Sequence, residues 1–141
     1  MRKTLKTIAA ALIMVTSLSS FASEKANPLK DVESNMVIDT YLEAVTVGSI
    51  DLNKFLFAGD FEYRNVNNND RVGKKEYIKF LEANKGTKYD CESSYEMLSQ
   101  DGKVCMAKAT MVFDNFTRVD YITLNQSKDG WKVSKVETTY P

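Results

Sequence analysis

An aspartate inside an apolar strand is the residue of this sequence best placed to do chemistry. In Arg118-Val119-Asp120-Tyr121-Ile122-Thr123-Leu124, strand alternation puts Arg118, Asp120, Ile122 and Leu124 on one face. A carboxyl group turned into an apolar interior is favoured in its neutral form, which raises its pKa toward values suited to proton transfer. Two other roles compete with that one. Arg118 or Lys135 can hold Asp120 as a structural ion pair, in which case it stays ionised, or Asp120 can contact a bound ligand. Tyr63, Tyr95 and Tyr121 offer phenolic donors, and no spacing selects one of them.

The chain contains no histidine. Triads that rely on an imidazole base are therefore excluded, and the remaining acid-base groups are carboxylates, lysines and tyrosines in no recognisable catalytic arrangement. Two cysteines without histidine argue against a zinc site, and no glycine-rich phosphate loop or nucleotide fingerprint is present. The expectation is a protein without metal or cofactor, more a binding protein than an enzyme.

The N-terminus and the charge balance narrow the partners. Arg2, Lys3 and Lys6 precede an apolar run of 11 residues, Ile8 to Leu18, and Ser20-Phe21-Ala22 has small residues where a signal peptidase cuts. That run is short of the roughly 20 residues that cross a bilayer. Residues 1–22 are thus expected to be a cleaved signal peptide, with no stable membrane anchor and a periplasmic or secreted product. The segment carries three of the 19 basic residues and none of the 19 acidic ones, so its removal leaves a net charge of −3. Nucleic-acid binding generally needs a basic face. The one basic concentration, Lys74, Lys75, Lys79, Lys85 and Lys88, reads as a solvated helix face, and no nucleic-acid partner is expected.

Residues 23–30 read as a linker and 31–141 as a single domain. Val37, Ile38, Tyr41, Leu42 and Val45 recur at helical spacing from about Asp31 to Val47, with Gly48 as the stop. Asp51 can cap a short helix through Leu56. Phe61 to Arg64 alternates as a short strand, Asn65 to Asp70 is an asparagine-rich loop, and a helix over Lys74 to Asn84 buries Tyr77, Ile78, Phe80 and Leu81. Four strands follow, Lys88 to Leu98, Lys103 to Phe113, Arg118 to Gln126 and Gly130 to Thr139, as a meander. Such an order is α+β, with a long curved sheet wrapped over the helices.

Exported chains with two cysteines often form a disulfide. A three-residue loop at Gln100-Asp101-Gly102 would instead pair Met97 with Cys105 and Cys91 with Met111, setting the cysteines roughly 20 Å apart along the ladder. Two buried free thiols are expected. The same register makes one apolar face of Cys91, Ser93, Tyr95 and Met97 with Cys105, Ala107, Ala109, Met111 and Phe113.

The element order, Val47-Gly48 followed by Asp51-Leu52, Phe61, Val119 to Leu124 and Gly130-Trp131-Lys132-Val133-Ser134-Lys135-Val136 together resemble the nuclear transport factor 2-like superfamily. They are most similar to its putative lumazine-binding branch of exported bacterial proteins. The resemblance covers nearly the whole chain after residue 22. It implies a cone-shaped fold around an apolar pocket, with Tyr41, Phe55, Phe61, Tyr77, Tyr95, Met111, Phe113, Asp120 and Trp131 in its walls or core. A small apolar or amphipathic ligand, or a role in envelope interactions, is the function this implies. The alternative it implies is a cofactor-free isomerase or lyase using Asp120. It also implies pairing of two copies through the outer sheet face, with Val119, Tyr121 and Thr123 at the contact. Cyclase and dehydratase relatives that use a histidine base find no counterpart here.

Overall fold

The computed structural model describes residues 26–141, so the expected signal peptide lies outside the described residues. Residues 27–30 do not behave as a free linker. Asn27 Oδ1 accepts from the Leu29 N–H at 2.8 Å, its Nδ2 donates to the Asp129 carbonyl at 2.9 Å, and Leu29 enters the core. Gly130 permits this contact, because a Cβ there would lie 2.6 Å from the Lys30 carbonyl oxygen.

Helix α1, Ser34–Thr46, starts three residues later than its apolar spacing suggests, and turns occupy residues 28–31. Its buried stripe contains Val37, Ile38, Tyr41, Leu42 and Val45, and Gly48 ends it at φ +70°. A four-residue helix α2, Asn53–Leu56, follows, with Leu52 rather than Asp51 at its cap and no capping side chain. Strand β1, Phe57–Asn65, runs straight out of α2 and, at nine residues, is more than twice as long as the expected Phe61–Arg64. After a turn with Asn69 at φ 62°, β2, Asp70–Gly73, folds back on β1 from the end of the expected Asn65–Asp70 loop, and α3, Lys74–Ala83, follows.

The remaining strands are β3 (Glu92–Asp101), β4 (Val104–Val112), β5 (Thr117–Ser127) and β6 (Gly130–Thr139). The six form one sheet in the order β2-β1-β6-β5-β4-β3. All neighbours are antiparallel except β1 and β6, whose parallel pairing joins the first strand to the last. No meander pattern signals that pairing, because its partners are far apart in sequence.

One bulge decides what faces the core. Leu124 pairs with Val133 and Thr123 with Lys135, so Ser134 is an extra residue in β6. Trp131 and Val133 before it, and Val136 and Thr138 after it, are all buried. Without the bulge the alternation would turn Lys135 inward and Val136 outward. The three-residue step from Val133 to Val136 is its trace in the sequence.

The β3–β4 hairpin differs from its expected register. Its turn is the two-residue Gly102-Lys103, Asp101 pairs with Val104, Met97 with Ala107 and Ser93 with Met111, and Leu98 is the extra residue. Cys105, Ala107, Ala109 and Met111 are buried as expected, but Ser93 and Met97 are exposed and Tyr95 is half-buried, because β3 is the sheet edge. Both cysteines are free thiols. Cys105 is buried and Cys91 half-buried, and desolvation raises both pKa values. In α3 only Tyr77 and Leu81 are buried; Ile78 is intermediate and Phe80 is exposed. Among the described residues, no helix is long and apolar enough to cross a membrane.

Candidate binding site

Strand β5 carries Arg118 and Asp120 on its inner face, two residues apart, so both point toward the helices. The carboxylate is fully buried. Arg118 Nε donates to its Oδ1 at 2.9 Å and Nη2 to its Oδ2 at 3.0 Å, a bidentate pair. Thr138 Oγ1, brought opposite by the β5–β6 register, donates to Oδ1 at 2.6 Å, and the Tyr41 hydroxyl from α1 donates to Oδ2 at 2.8 Å. Four donors thus occupy the two carboxylate oxygens. Lys135 takes no part: it lies 3.7 Å from Glu137.

The network continues through tyrosines. The hydroxyls of Tyr41 and Tyr77 are 3.0 Å apart. Since the single Tyr41 proton is committed to the stronger acceptor, Asp120, Tyr77 is the donor between them. Burial and then the Asp120 charge push the Tyr41 pKa well up. Burial likewise raises Tyr77, with the Arg118 charge acting against it. Burial works to lower the Arg118 pKa, but the Asp120 charge, Tyr41, Tyr77 and the hydrogen bond to Asp120 together raise it well above its ordinary value, so the guanidinium stays charged.

Next to this network lies a cavity of about 370 Å³, and among the described residues Arg118 is the only cationic one in its lining. Tyr63 stacks on Tyr77 with ring centroids 4.8 Å apart, and Phe80 extends the stack at 6.1 Å from Tyr77. Tyr89 and Tyr140 complete the aromatic lining. Phe113 and Phe116 support them from outside it: Tyr89 meets Phe113 at 5.8 Å, Phe113 stacks on Phe116 at 4.4 Å, and Phe116 meets Tyr140 at 6.0 Å. Asn65, Asp70, Val72 and Glu76 are the remaining lining residues. Arg118 Nη1 has no hydrogen-bond partner among the described residues, although Arg118 lines the cavity.

A model of the family described as "Putative lumazine-binding" matches residues 30–138. The chain belongs to this family. Its fold is that of the nuclear transport factor 2-like proteins. A nuclear transport factor 2-like protein of unknown function from Silicibacter pomeroyi is similar at 14% identity, over 90% of this chain and 100% of that one, with a TM-score of 0.63. A protein of unknown function from Pectobacterium atrosepticum is similar at 15% identity, over 83% and 93% of the two chains, at 0.64. A nuclear transport factor 2-like protein from Cytophaga hutchinsonii follows at 14% identity, over 78% and 100%, at 0.62. No curated protein matches the chain. At such identities the structural likeness establishes the α+β cone alone.

Of the side chains expected around the pocket of this family member, only Tyr77 lines the cavity. Tyr41, Phe61, Met111 and Trp131 are core residues instead, because the inner sheet face packs directly on α1 and α3. Phe55 packs half-buried against that core, with Lys54 Nζ 5.1 Å above its ring. Phe113 supports Tyr89 from behind. Tyr95 belongs to a separate groove between α1 and β3. Asp120 lies beneath Arg118 and is not part of the lining. The sequence presents Arg118 only as an ion-pair partner for Asp120, and Tyr63 only as one phenol among several. Helical spacing puts Phe80 on the buried side of α3, where the structure leaves it exposed, and no motif selects Tyr89 or Tyr140. Tyr140 directly follows β6, and an aromatic residue just beyond a strand end is a signal that could have found it; Tyr89 lies inside the strand expected from Lys88, which begins only at Glu92.

Proposed function

We propose that this chain is an exported binding protein that takes a small planar, amphipathic molecule into the tyrosine-lined cavity. The single observation that carries the proposal is the Arg118 guanidinium, held along one edge by two hydrogen bonds to Asp120, with Nη1 unpartnered among the described residues in a cavity that stacked aromatic rings also line. Aromatic faces favour a flat partner, and a preorganised donor at the floor favours one with a hydrogen-bond acceptor at its inner end. The family name points toward a small ligand in the same sense. Export rests on residues 1–22, whose charge, short apolar run and Ala22 suit cleavage.

Asp120 is a weak candidate for catalysis on this reading. Its oxygens already accept four hydrogen bonds, so a proton transfer to a ligand would have to break the network that holds Arg118. The test is native mass spectrometry of the protein purified from its own host, followed by thermal-shift screening of planar amphipathic compounds. A retained small molecule, or stabilisation that Phe80→Ala and Tyr140→Ala both weaken, is expected on a chain beginning at Ser23. A bare mass together with no stabilising compound overturns the binding reading, and a chain still beginning at Met1 overturns export.

A further inference from the structure

The cavity is unbalanced in charge. Its lining holds two carboxylates, Asp70 and Glu76, against one guanidinium, and that guanidinium is already matched by Asp120 beneath it. Neither Asp70 nor Glu76 forms an ion pair among the described residues. Tyr63, Phe80, Tyr89 and Tyr140 share that lining, and open aromatic faces attract cations; the buried Tyr77 ring is itself stacked between Tyr63 and Phe80. Arg118 is itself 93% buried, with Nη1 unpartnered, so the floor asks for an acceptor without supplying uncompensated positive charge.

From this arrangement we infer that the ligand is an organic cation: a planar molecule with a carbonyl or similar acceptor toward Arg118 and a positive charge held among the aromatic faces and the two carboxylates. The inference rests on the binding reading above and specifies the class of ligand. An anion of the same shape is rejected, because it meets Asp70 and Glu76 while the positive charge of Arg118 is already used. Such discrimination is electrostatic and weakens with salt.

Three probes of one shape and different charge test it: 1-methylnicotinamide as cation, nicotinamide as neutral molecule and nicotinate as anion, each titrated into the purified protein and followed by calorimetry and tyrosine-ring NMR shifts. Affinity is expected to fall in that order, with about tenfold between cation and anion at low salt. The exposed-site double variant Asp70→Asn, Glu76→Gln should narrow the cation-to-anion ratio several-fold and leave nicotinamide nearly unchanged. Nicotinate binding as tightly as the cation, or a ratio the double variant does not move, overturns the inference while leaving the cavity a binding site. Failure of all three probes also overturns it, and the retained-mass and compound screens then decide separately whether the cavity binds anything.

Discussion

Two arginine–carboxylate pairs lie on opposite faces of the same sheet, and neighbouring residues of β6 serve them. Glu137 faces outward and accepts from Arg64 Nε at 2.9 Å across the parallel β1–β6 pairing, with both side chains 26% exposed. Thr138, the next residue, faces inward to Asp120, whose pair with Arg118 is buried at the edge of the cavity. The functional groups are the same in both pairs, and burial separates their consequences. On the outer face, water solvates either partner if the other is lost. On the inner face, loss of one partner strands a charge in a medium that cannot solvate it.

The largest effect should come from Asp120→Asn. Removing the carboxylate charge leaves the Arg118 guanidinium buried and uncompensated, which costs about 3 to 5 kcal/mol, and a drop in melting temperature of more than about 10 °C follows. Removing both charges with Arg118→Met, Asp120→Leu should cost less than Asp120→Asn alone while abolishing ligand binding. If chemical denaturation shows Asp120→Asn as stable as wild type, the contrast between the two pairs is lost.

Tyr41 and Tyr77 sharpen the comparison through pH. Their folded pKa values are raised by burial, so the unfolded chain releases these protons first. Their contribution to stability is whole below the ordinary tyrosine pKa of about 10 and is lost as pH rises above it toward the folded values. Absorbance titration should find these two phenols silent until the protein unfolds. Tyr41→Phe should flatten the alkaline loss of stability and, by removing one donor from a buried carboxylate, cost about 1.5 to 3 kcal/mol at neutral pH. Normal titration of all the tyrosines in the folded state would contradict the closed network.

The smallest effect belongs to the outer pair. Glu137→Gln should cost under about 1 kcal/mol. The Arg64 hydrogen bonds hold the Glu137 pKa below the usual carboxylate range. A lowered folded pKa means a contribution present above the unfolded value and lost as pH falls through the folded one. Denaturation of wild type and Glu137→Gln should therefore converge on acidification, and a deficit as large as that of Asp120→Asn would erase the distinction.

Local physics made most of the fold legible in the sequence. Apolar spacing located α1 and α3, Gly48 stopped the first of these, and alternation placed β5 and β6. The inward face of Arg118 and Asp120 was readable for the same reason, because side chains alternate along a strand whatever it pairs with. What lay beyond the sequence depended on distant partners. The parallel β1–β6 pairing, the short β2 and the two-residue β3–β4 turn are set by how strands meet, and each shifted an expected boundary or register. The site followed the same division. Alternation cannot tell a residue facing the core from one facing a cavity, so Met111 and Trp131 looked as eligible as Tyr77. Only the tertiary structure set Thr138 and Tyr41 on Asp120 and left one edge of Arg118 open to the cavity. A carboxylate becomes a support rather than a reagent when groups far apart in the chain converge on both of its oxygens, and that convergence exists only in the folded molecule.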